Sequence, residues 1–184
     1  MLLRMLHWMA RWPLRPLHGV GVALGWLVYS LSGTYRARVR TNASAVGLSV
    51  SARRRSVSHA GRRVGELPYL WLRPRKAALG PRMAHFHGAE VIQQALDEGR
   101  GLVLMTPHLG AFEVTAQAYA ERFGAAHPLT AMYRPARQAW LRDMQRTARD
   151  RPGLLTAPAS LAGIRQMLRA LRSGHTVGVH NPFE

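Results

Sequence analysis

A short apolar segment that ends at a proline places the strongest constraint on how this chain can fold. Residues 101–106 read Gly-Leu-Val-Leu-Met-Thr, and Pro107 follows at once. A continuous apolar run of this length is typical of a strand covered on both faces, as in a parallel sheet packed between helices. Because proline cannot donate to the ladder, the strand is expected to end there. The pattern therefore predicts a buried strand, a turn and then a helix over residues 112–123.

The same alternation of apolar runs and helical patterns continues through the second half of the chain. Short apolar runs predict further strands at 129–133, 154–156 and 175–179. Helical patterns predict helices at 89–98, 136–150 and 161–172, the last of them capped by Ser160. Alternating strands and helices predict an α/β fold, with a mixed, largely parallel sheet covered by helices.

The turn after the first predicted strand carries a histidine and, five positions later, a glutamate. Residues five apart are separated by about 140° around a helix, so His108 and Glu113 cannot share a helical face. They can meet if His108 lies in the turn and Glu113 in the first helical turn, with Gly110 permitting the bend. A carboxylate that accepts one imidazole proton leaves the other nitrogen free as a base. Such a dyad suits deprotonation of a hydroxyl group that attacks a thioester, with N–H groups at 109–111 near the oxyanion.

A simpler interpretation also fits these two residues. His108 is then an ordinary turn histidine, and Glu113 is a solvated acid at a helix start. The position directly after a buried strand favours the dyad but leaves this alternative open. The other histidines show no metal-ligand spacing and the chain has no cysteine, so we predict no metal site.

Arginines form a second candidate group. Tyr133 and Arg134 follow a predicted strand, and Arg149 and Arg151 lie at the end of a predicted helix. Ligands of open α/β sheets bind beyond the carboxyl ends of the strands, and the guanidinium group suits bidentate contact with phosphate. We therefore predict that these four residues, with Gly110 of the turn, contribute to substrate binding. For the arginines inside the helix, a solvated basic face is the alternative.

The first third of the chain is basic and apolar. The formal net charge is +17, and no acidic residue precedes Glu66. Such an imbalance indicates an anionic partner. Residues 16–35 carry no charged side chain, and a helix of about 20 apolar residues is enough to span a bilayer. Basic residues beside an apolar run favour a membrane surface, and no nucleic-acid partner is predicted because no helix-turn-helix or stacking platform is visible.

Three interpretations are possible for residues 16–35. A transmembrane or deeply inserted helix is the favoured prediction, and a helix lying in the interface and a cleaved signal peptide are the alternatives. Trp8 and Trp12 suit the headgroup level, and Gly21 and Gly25 are spaced as in a helix-packing face. We predict three regions: an interfacial segment and membrane anchor at 1–35, a basic helical linker at 36–82 and a partial catalytic domain at 83–184.

Four motifs carry a resemblance to a known family. In order they are Thr106-Pro-His-Leu-Gly-Ala-Phe-Glu113, Tyr133-Arg-Pro135, Arg149-Asp-Arg-Pro-Gly153 and Leu168-x2-Leu-x2-Gly174. Together with the apolar N-terminal segment, they resemble the bacterial lipid A late acyltransferases of lauroyl and myristoyl type, within the lysophospholipid acyltransferase superfamily. The resemblance extends over essentially the whole chain and implies a sheet like that of glycerolipid acyltransferases.

The resemblance implies a reaction, partners and a location. The reaction is transfer of a fatty acyl chain from acyl-carrier protein to a hydroxyl group of a Kdo-bearing lipid A precursor or another anionic lipid, without a cofactor. The location is the bacterial inner membrane, with the catalytic part facing the cytoplasm. By position, His108 is the base, Glu113 its partner and Arg149 a contact to substrate phosphate or the acyl donor. Arg134 and Arg151 are secondary candidates.

The sequence departs from the family pattern near its end. Where the family usually has an Asp-Gln or similar acidic motif followed by more sheet, residues 180–184 read His-Asn-Pro-Phe-Glu. We therefore expect a C-terminally truncated member with an incomplete sheet. Two alternatives remain, namely an acyltransferase for another lysophospholipid or glycolipid acceptor and an inactive, basic membrane-binding fragment.

Overall fold

The chain divides into two compact units, Met1–Arg73 and Pro74–Glu184. A computed structural model describes residues 2–74, 79, 85–107, 109–149 and 151–180. The described part of the first unit is helical, whereas the second unit combines a sheet with helices. The three-region division drawn from the sequence stays a prediction.

The first unit contains four described helices: α1 (Leu2–Met9), α2 (Leu14–Leu31), α3 (Gly33–Ala45) and α4 (Val50–Leu72). Serines cap two of them. Ser32 Oγ accepts the Tyr35 N–H at 3.2 Å, and Ser49 Oγ accepts the Ala52 N–H at the same distance. Each cap satisfies an N–H group that has no partner inside its helix. Two capped helices thus account for most of the region predicted as a basic helical linker.

Glycines allow α2 and α4 to approach each other backbone to backbone. Gly21 of α2 and Gly61 and Gly65 of α4 are buried. A Cβ atom on Gly21 would collide with the Gly61 carbonyl group, and one on Gly65 would collide with that of Leu17. Glycine at every fourth position removes side chains from the shared face and permits this contact. The packing role predicted for Gly21 and Gly25 is confirmed.

Polar side chains join the same two helices on either side of the glycines. His18 Nε2 lies 3.2 Å from Glu66 Oε2, and Trp26 Nε1 donates to Ser58 Oγ at 3.0 Å. The contact near the start of α2 is made with the end of α4, and the contact further along α2 is made with an earlier residue of α4. The two helices therefore run antiparallel. We call this pair the glycine hairpin, and the two polar contacts define its register.

The prediction of one membrane-spanning helix over residues 16–35 is not supported. Helix α2 ends at Leu31, and the extended backbone of Ser32 starts α3, which carries arginines. His18 and three glycines lower the hydropathy of α2 itself. Among the residues that the structure describes, no helix has both the length and the apolar character needed to cross a membrane.

The second unit contains a four-stranded sheet in its described part. The strands are β1 (Leu102–Thr106), β2 (Leu129–Tyr133), β3 (Leu154–Pro158) and β4 (Thr176–His180). Their order is β1-β4-β2-β3, and every pairing between them is parallel. The predicted α/β class and the positions of the four strands are confirmed. All four carboxyl ends consequently meet at one edge of the sheet.

Helices cover both faces of this sheet. They are α5 (Ala89–Asp97), α6 (Phe112–Phe123), α7 (Ala139–Arg149) and α8 (Leu161–Arg172). On one face, Leu96 of α5 and Tyr119 of α6 pack with Leu129 and Leu154. Val177, Ala157 and Met167 of α8 form a cluster on the other face, since successive strand residues point in opposite directions. This two-sided burial explains the largely apolar sequence of β2 and β4. In β1, however, Val103 and Met105 are 51% and 67% exposed, so the predicted burial of that strand on both faces is wrong among the described residues.

One buried hydrogen bond ties α6 to the central strand β4. The Tyr119 hydroxyl group lies 2.6 Å from Thr176 Oγ1, and both residues are almost completely buried. Burial raises the pKa of Tyr119 above its ordinary value, against a smaller lowering by the Thr176 hydrogen bond. This contact anchors the helix that begins just after the His108 turn.

We expect Gly61→Ala to destabilise the glycine hairpin. The added Cβ would meet the backbone of Gly21, which cannot rotate away, so the free energy of unfolding should fall by about 1–3 kcal/mol. Urea denaturation followed by far-ultraviolet circular dichroism measures this change. Gly19→Ala is the matched control, because a Cβ atom there meets nothing within 4 Å. Equal stability of the two variants would contradict a close glycine contact.

Candidate active site

The candidate site begins where β1 ends. Thr106 closes the strand, Gly110 adopts a positive φ of 56° and α6 starts at Phe112. The left-handed backbone at Gly110 favours glycine and produces the sharp bend that was predicted. His108 lies in this turn but outside the described residues, so its role as the base stays a prediction.

Glu113 lies in the first turn of α6, where the sequence placed it. Its carboxylate is bound by Arg149 at the end of α7. Nη2 of Arg149 donates to Oε1 at 2.6 Å, and Nε donates to Oε2 at 3.4 Å. The Glu113 side chain is only 11% exposed, and the Arg149 side chain is only 18% exposed. A two-point ion pair of this kind, largely shielded from water, fixes both the position and the rotation of the carboxylate.

The Arg149 guanidinium group also packs on an aromatic ring. Its Cζ atom lies 5.8 Å from the centroid of the Tyr133 ring, at the carboxyl end of β2. This distance is within the range of a cation–π contact. One arginine therefore joins α7 to the start of α6 and the end of β2. Three residues singled out from the sequence, Glu113, Tyr133 and Arg149, lie together in the structure.

The other two predicted arginines have different surroundings. Arg134 is exposed directly after β2. Arg151 is 8% exposed, and its Nη1 donates to the Pro74 carbonyl group at 3.3 Å. Arg151 thus contributes to a buried contact with the start of the second unit. Binding of substrate by either residue stays a prediction.

A small apolar cavity lies between the sheet and α6, beside the same turn. Its volume is about 40 Å³, and its walls include Leu104 and Thr106 of β1 and Phe112 and Ala116 of α6. A cavity needs about 10–15 Å³ of such space to hold one water molecule, so this one has room for only a few small groups. The cavity can therefore admit only a short piece of hydrocarbon unless the surrounding side chains move.

The described part of the site contains one carboxylate, that of Glu113, bound by the guanidinium group of Arg149. Within the residues that the structure describes, no group of three or more histidine and acidic side chains is arranged to hold a metal ion. The N-cap of α6 is Ala111, whose side chain makes no capping hydrogen bond. The Val114 N–H is bonded to the Ala111 carbonyl group at 2.8 Å. The start of the helix favours negative charge.

The sequence did not reveal the pairing of Glu113 with Arg149. The two residues are 36 positions apart, and each had been assigned a different partner: an imidazole for Glu113, and a substrate phosphate or the acyl donor for Arg149. The only signal available was that both lie at helix ends near strands of a parallel sheet. Ends of parallel strands and the helices beside them converge at one edge, which makes such a contact possible.

Comparison with models of protein families matches nearly the whole chain. A family model described as bacterial lipid A biosynthesis acyltransferase matches residues 2–181. A search of curated proteins found no match. The matched range includes described parts of both compact units and every residue predicted to act at the site.

Removing either partner of the Glu113–Arg149 pair should destabilise the second unit. Arg149→Gln leaves a shielded carboxylate without its cation, which typically costs about 3 kcal/mol in the free energy of unfolding. In the double variant with Glu113→Gln, the loss should be smaller than the sum of the single losses. Chemical denaturation of the four proteins measures this coupling. Arg134→Gln, at an exposed position, is the control, and additive effects would contradict a direct ion pair.

Proposed function

The chain belongs to the bacterial lipid A biosynthesis acyltransferase family, and from this premise we propose its donor, acceptor and catalytic groups. The family makes it an acyltransferase of lipid A biosynthesis. The donor that we propose is acyl-carrier protein carrying a fatty acyl thioester. The acceptor is a hydroxyl group of a Kdo-bearing lipid A precursor, and no cofactor takes part.

The observation that carries the proposed mechanism is the fixed carboxylate of Glu113. It sits five residues after His108, in the first turn of α6, and is held at two points by Arg149. Each carboxylate oxygen has two lone pairs, so both oxygens can still accept a further hydrogen bond. Glu113 can therefore orient the His108 imidazole while Arg149 orients Glu113.

The proposed reaction is a direct acyl transfer. The free imidazole nitrogen of His108 takes the proton of the acceptor hydroxyl group, whose oxygen attacks the thioester carbonyl carbon. The carbon–sulfur bond of the resulting tetrahedral intermediate then breaks. The imidazolium returns its proton to the departing thiolate, which leaves an ester on the acceptor and a free thiol on the carrier.

Two neighbouring features support this reaction. The positive end of the α6 dipole, at the start of the helix near Phe112, is suited to the negative charge that develops on the carbonyl oxygen. The apolar cavity beside Phe112 is suited to the hydrocarbon next to the thioester. Its volume of about 40 Å³ means that a long acyl chain needs side chains of α6 to move or must extend along the surface.

We also propose that the protein works at the cytoplasmic face of the bacterial inner membrane. The residues up to Arg73 include twelve arginines and a single acidic residue, Glu66. This charge suits the anionic surface on which a lipid acceptor is embedded. Acyl-carrier protein, the proposed donor, reaches the same face from solution.

His108→Ala should abolish acyl transfer. Loss of a general base typically lowers kcat by about 10²–10⁴-fold, and the assay follows release of free thiol from acyl-carrier protein with the lipid precursor present. His59→Ala, an exposed histidine on α4, is the control and should keep full activity. A His108→Ala protein as active as wild type would overturn the dyad. Transfer only to another lysophospholipid or glycolipid would keep the dyad but change the acceptor.

Kinetics of Arg149 variants separate a positioning role from a substrate contact. If Arg149 acts through Glu113, Arg149→Gln lowers kcat by about ten- to a hundredfold while KM for both substrates stays nearly constant. Arg149→Lys retains the charge but not the two-point geometry, so its kcat should lie between those of wild type and Arg149→Gln. A rise in KM with unchanged kcat would instead indicate direct binding of substrate phosphate.

A further inference from the structure

Exposed arginines surround the connection between β2 and α7. Arg134 and Arg137 are exposed in the loop, and Arg142 is exposed in the first turn of the helix. Over residues 134–151 the sequence contains six arginines and two aspartates. This excess of positive charge favours an anionic partner, and the planar guanidinium fork matches carboxylate and phosphate groups. We call Arg134, Arg137, Trp140 and Arg142 the α7 basic surface.

Hydrogen bonds fix the loop that carries this surface. Where the loop begins, the Tyr133 carbonyl group accepts the Ala159 N–H at 2.9 Å. Two residues into the loop, the Ala136 N–H donates to Gln145 Oε1 of α7 at 3.2 Å. A loop held at both points loses little conformational entropy when a partner binds, which favours tight binding.

The α7 basic surface lies beside the candidate active site. The loop follows directly after Tyr133, whose ring packs on Arg149. Arg142 precedes Arg149 by seven residues, or nearly two helical turns, so both lie on the same side of α7, about 10 Å apart along its axis. Arg149 in turn binds Glu113. A partner bound to this surface can therefore reach the site with a flexible arm.

The composition of the surface favours a protein over a lipid layer. Among the described side chains of residues 134–149, Trp140 is the one large apolar group that is exposed, at 42%. A single apolar side chain cannot provide the apolar face that a helix buries in a bilayer. Tryptophan and arginine are instead among the residues that contribute most to binding at protein interfaces. The α7 basic surface therefore fits an acidic protein.

We propose that the α7 basic surface binds an acidic helix of the acyl-carrier protein. The inference rests on the proposed function, in which that protein supplies the acyl thioester, and it gives the donor a docking place on the chain. Carboxylates of the acidic helix pair with Arg137 and Arg142, and Trp140 packs on an apolar side chain between them. The flexible arm of the carrier then extends past Arg142 toward Glu113. Such charge attraction accelerates encounter and weakens with added salt.

Binding of the carrier protein without turnover tests this surface. The probe is apo carrier protein, which lacks the arm and its phosphate, labelled with a fluorophore and followed by fluorescence anisotropy. Arg137→Glu/Arg142→Glu should bind it at least about thirtyfold more weakly than wild type. The control Arg169→Glu/Arg172→Glu makes the same charge change at exposed positions near the end of α8. It should lose less than about threefold, because salt at about 0.15 M screens charges beyond about 8 Å.

Three results of this binding experiment would overturn the proposal. The first is an equal loss of affinity in the two double variants. The second is the absence of binding by wild type. The third is binding of the carrier only when it bears its arm, which would assign the arginines to the phosphate of the arm.

Position-specific labelling decides the question if a charge-reversal variant does not fold. The chain has no cysteine, so Ala139→Cys and Ser173→Cys each accept one polarity-sensitive fluorophore at an exposed position. Apo carrier protein should shift the emission from position 139 to the blue and leave that from position 173 unchanged. Equal shifts, or no shift at position 139, would refute the assigned surface. A shift at position 139 produced by anionic vesicles alone would assign the surface to lipid instead.

Kinetics distinguish failure of the docking surface from failure of the proposed reaction. With acyl-carrier protein as donor, Arg137→Glu/Arg142→Glu should raise KM for the donor by about thirtyfold while kcat changes by less than about twofold. A lower kcat with unchanged KM would contradict a docking role. Absence of transfer by wild type would overturn the proposed reaction, whereas the docking surface is still decided by the binding experiment, which needs no turnover.

Discussion

Parallel pairing of the strands is the constraint on which the rest of the second unit depends. Parallel neighbours cannot be joined by tight hairpins, so each connection must cross a face of the sheet, and helices provide these crossings. The residues that follow β1 and those that end β2 consequently meet at one edge. Glu113 and Tyr133 reach that edge in this way, although separate segments carry them. Arg149 then joins them by a two-point ion pair and a ring contact.

Much of this arrangement could be predicted from local patterns. The strands were identified from short, continuous apolar runs, and β1 and β2 follow those runs closely, although β1 is buried on one face only. The place of Glu113 in the first helical turn was predicted because Gly110 permits a bend that other residues disfavour. Both inferences depend on neighbours in sequence, which is why they succeeded.

Contacts between distant segments could not be predicted in the same way. No pattern in the neighbouring sequence predicts that β4 lies between β1 and β2. Likewise, no such pattern predicts that Glu113 pairs with an arginine rather than with an imidazole alone. The failure at residues 16–35 has a related cause. An uncharged run is equally compatible with a spanning helix and with a shorter helix that packs one side on a glycine-bearing partner. The end of α2 at Leu31 and the start of α3 at Gly33 distinguish these cases, and this break becomes visible only in three dimensions.

The two units bury apolar side chains to different extents. In the second, helices and strands enclose a cluster of buried apolar side chains on each face of the sheet. In the glycine hairpin, Leu17 and Val57 are buried beside the backbone contact, whereas Leu24, Leu27 and Leu31 of α2 are exposed. Because burial of apolar surface stabilises folding, the exposed leucines add little to the stability of the first unit.

The position of β4 also has a consequence for the order in which the chain can fold. Among the described strands, β1 pairs with β4, and Leu102 is hydrogen-bonded in register with a segment that begins at Thr176. On the ribosome, β1 therefore emerges long before the strand that completes it. Until then its apolar residues and unpaired backbone groups remain available to other chains. The nascent protein should accordingly depend on chaperones during synthesis, and its folding should be slow because the decisive pairing is distant in sequence.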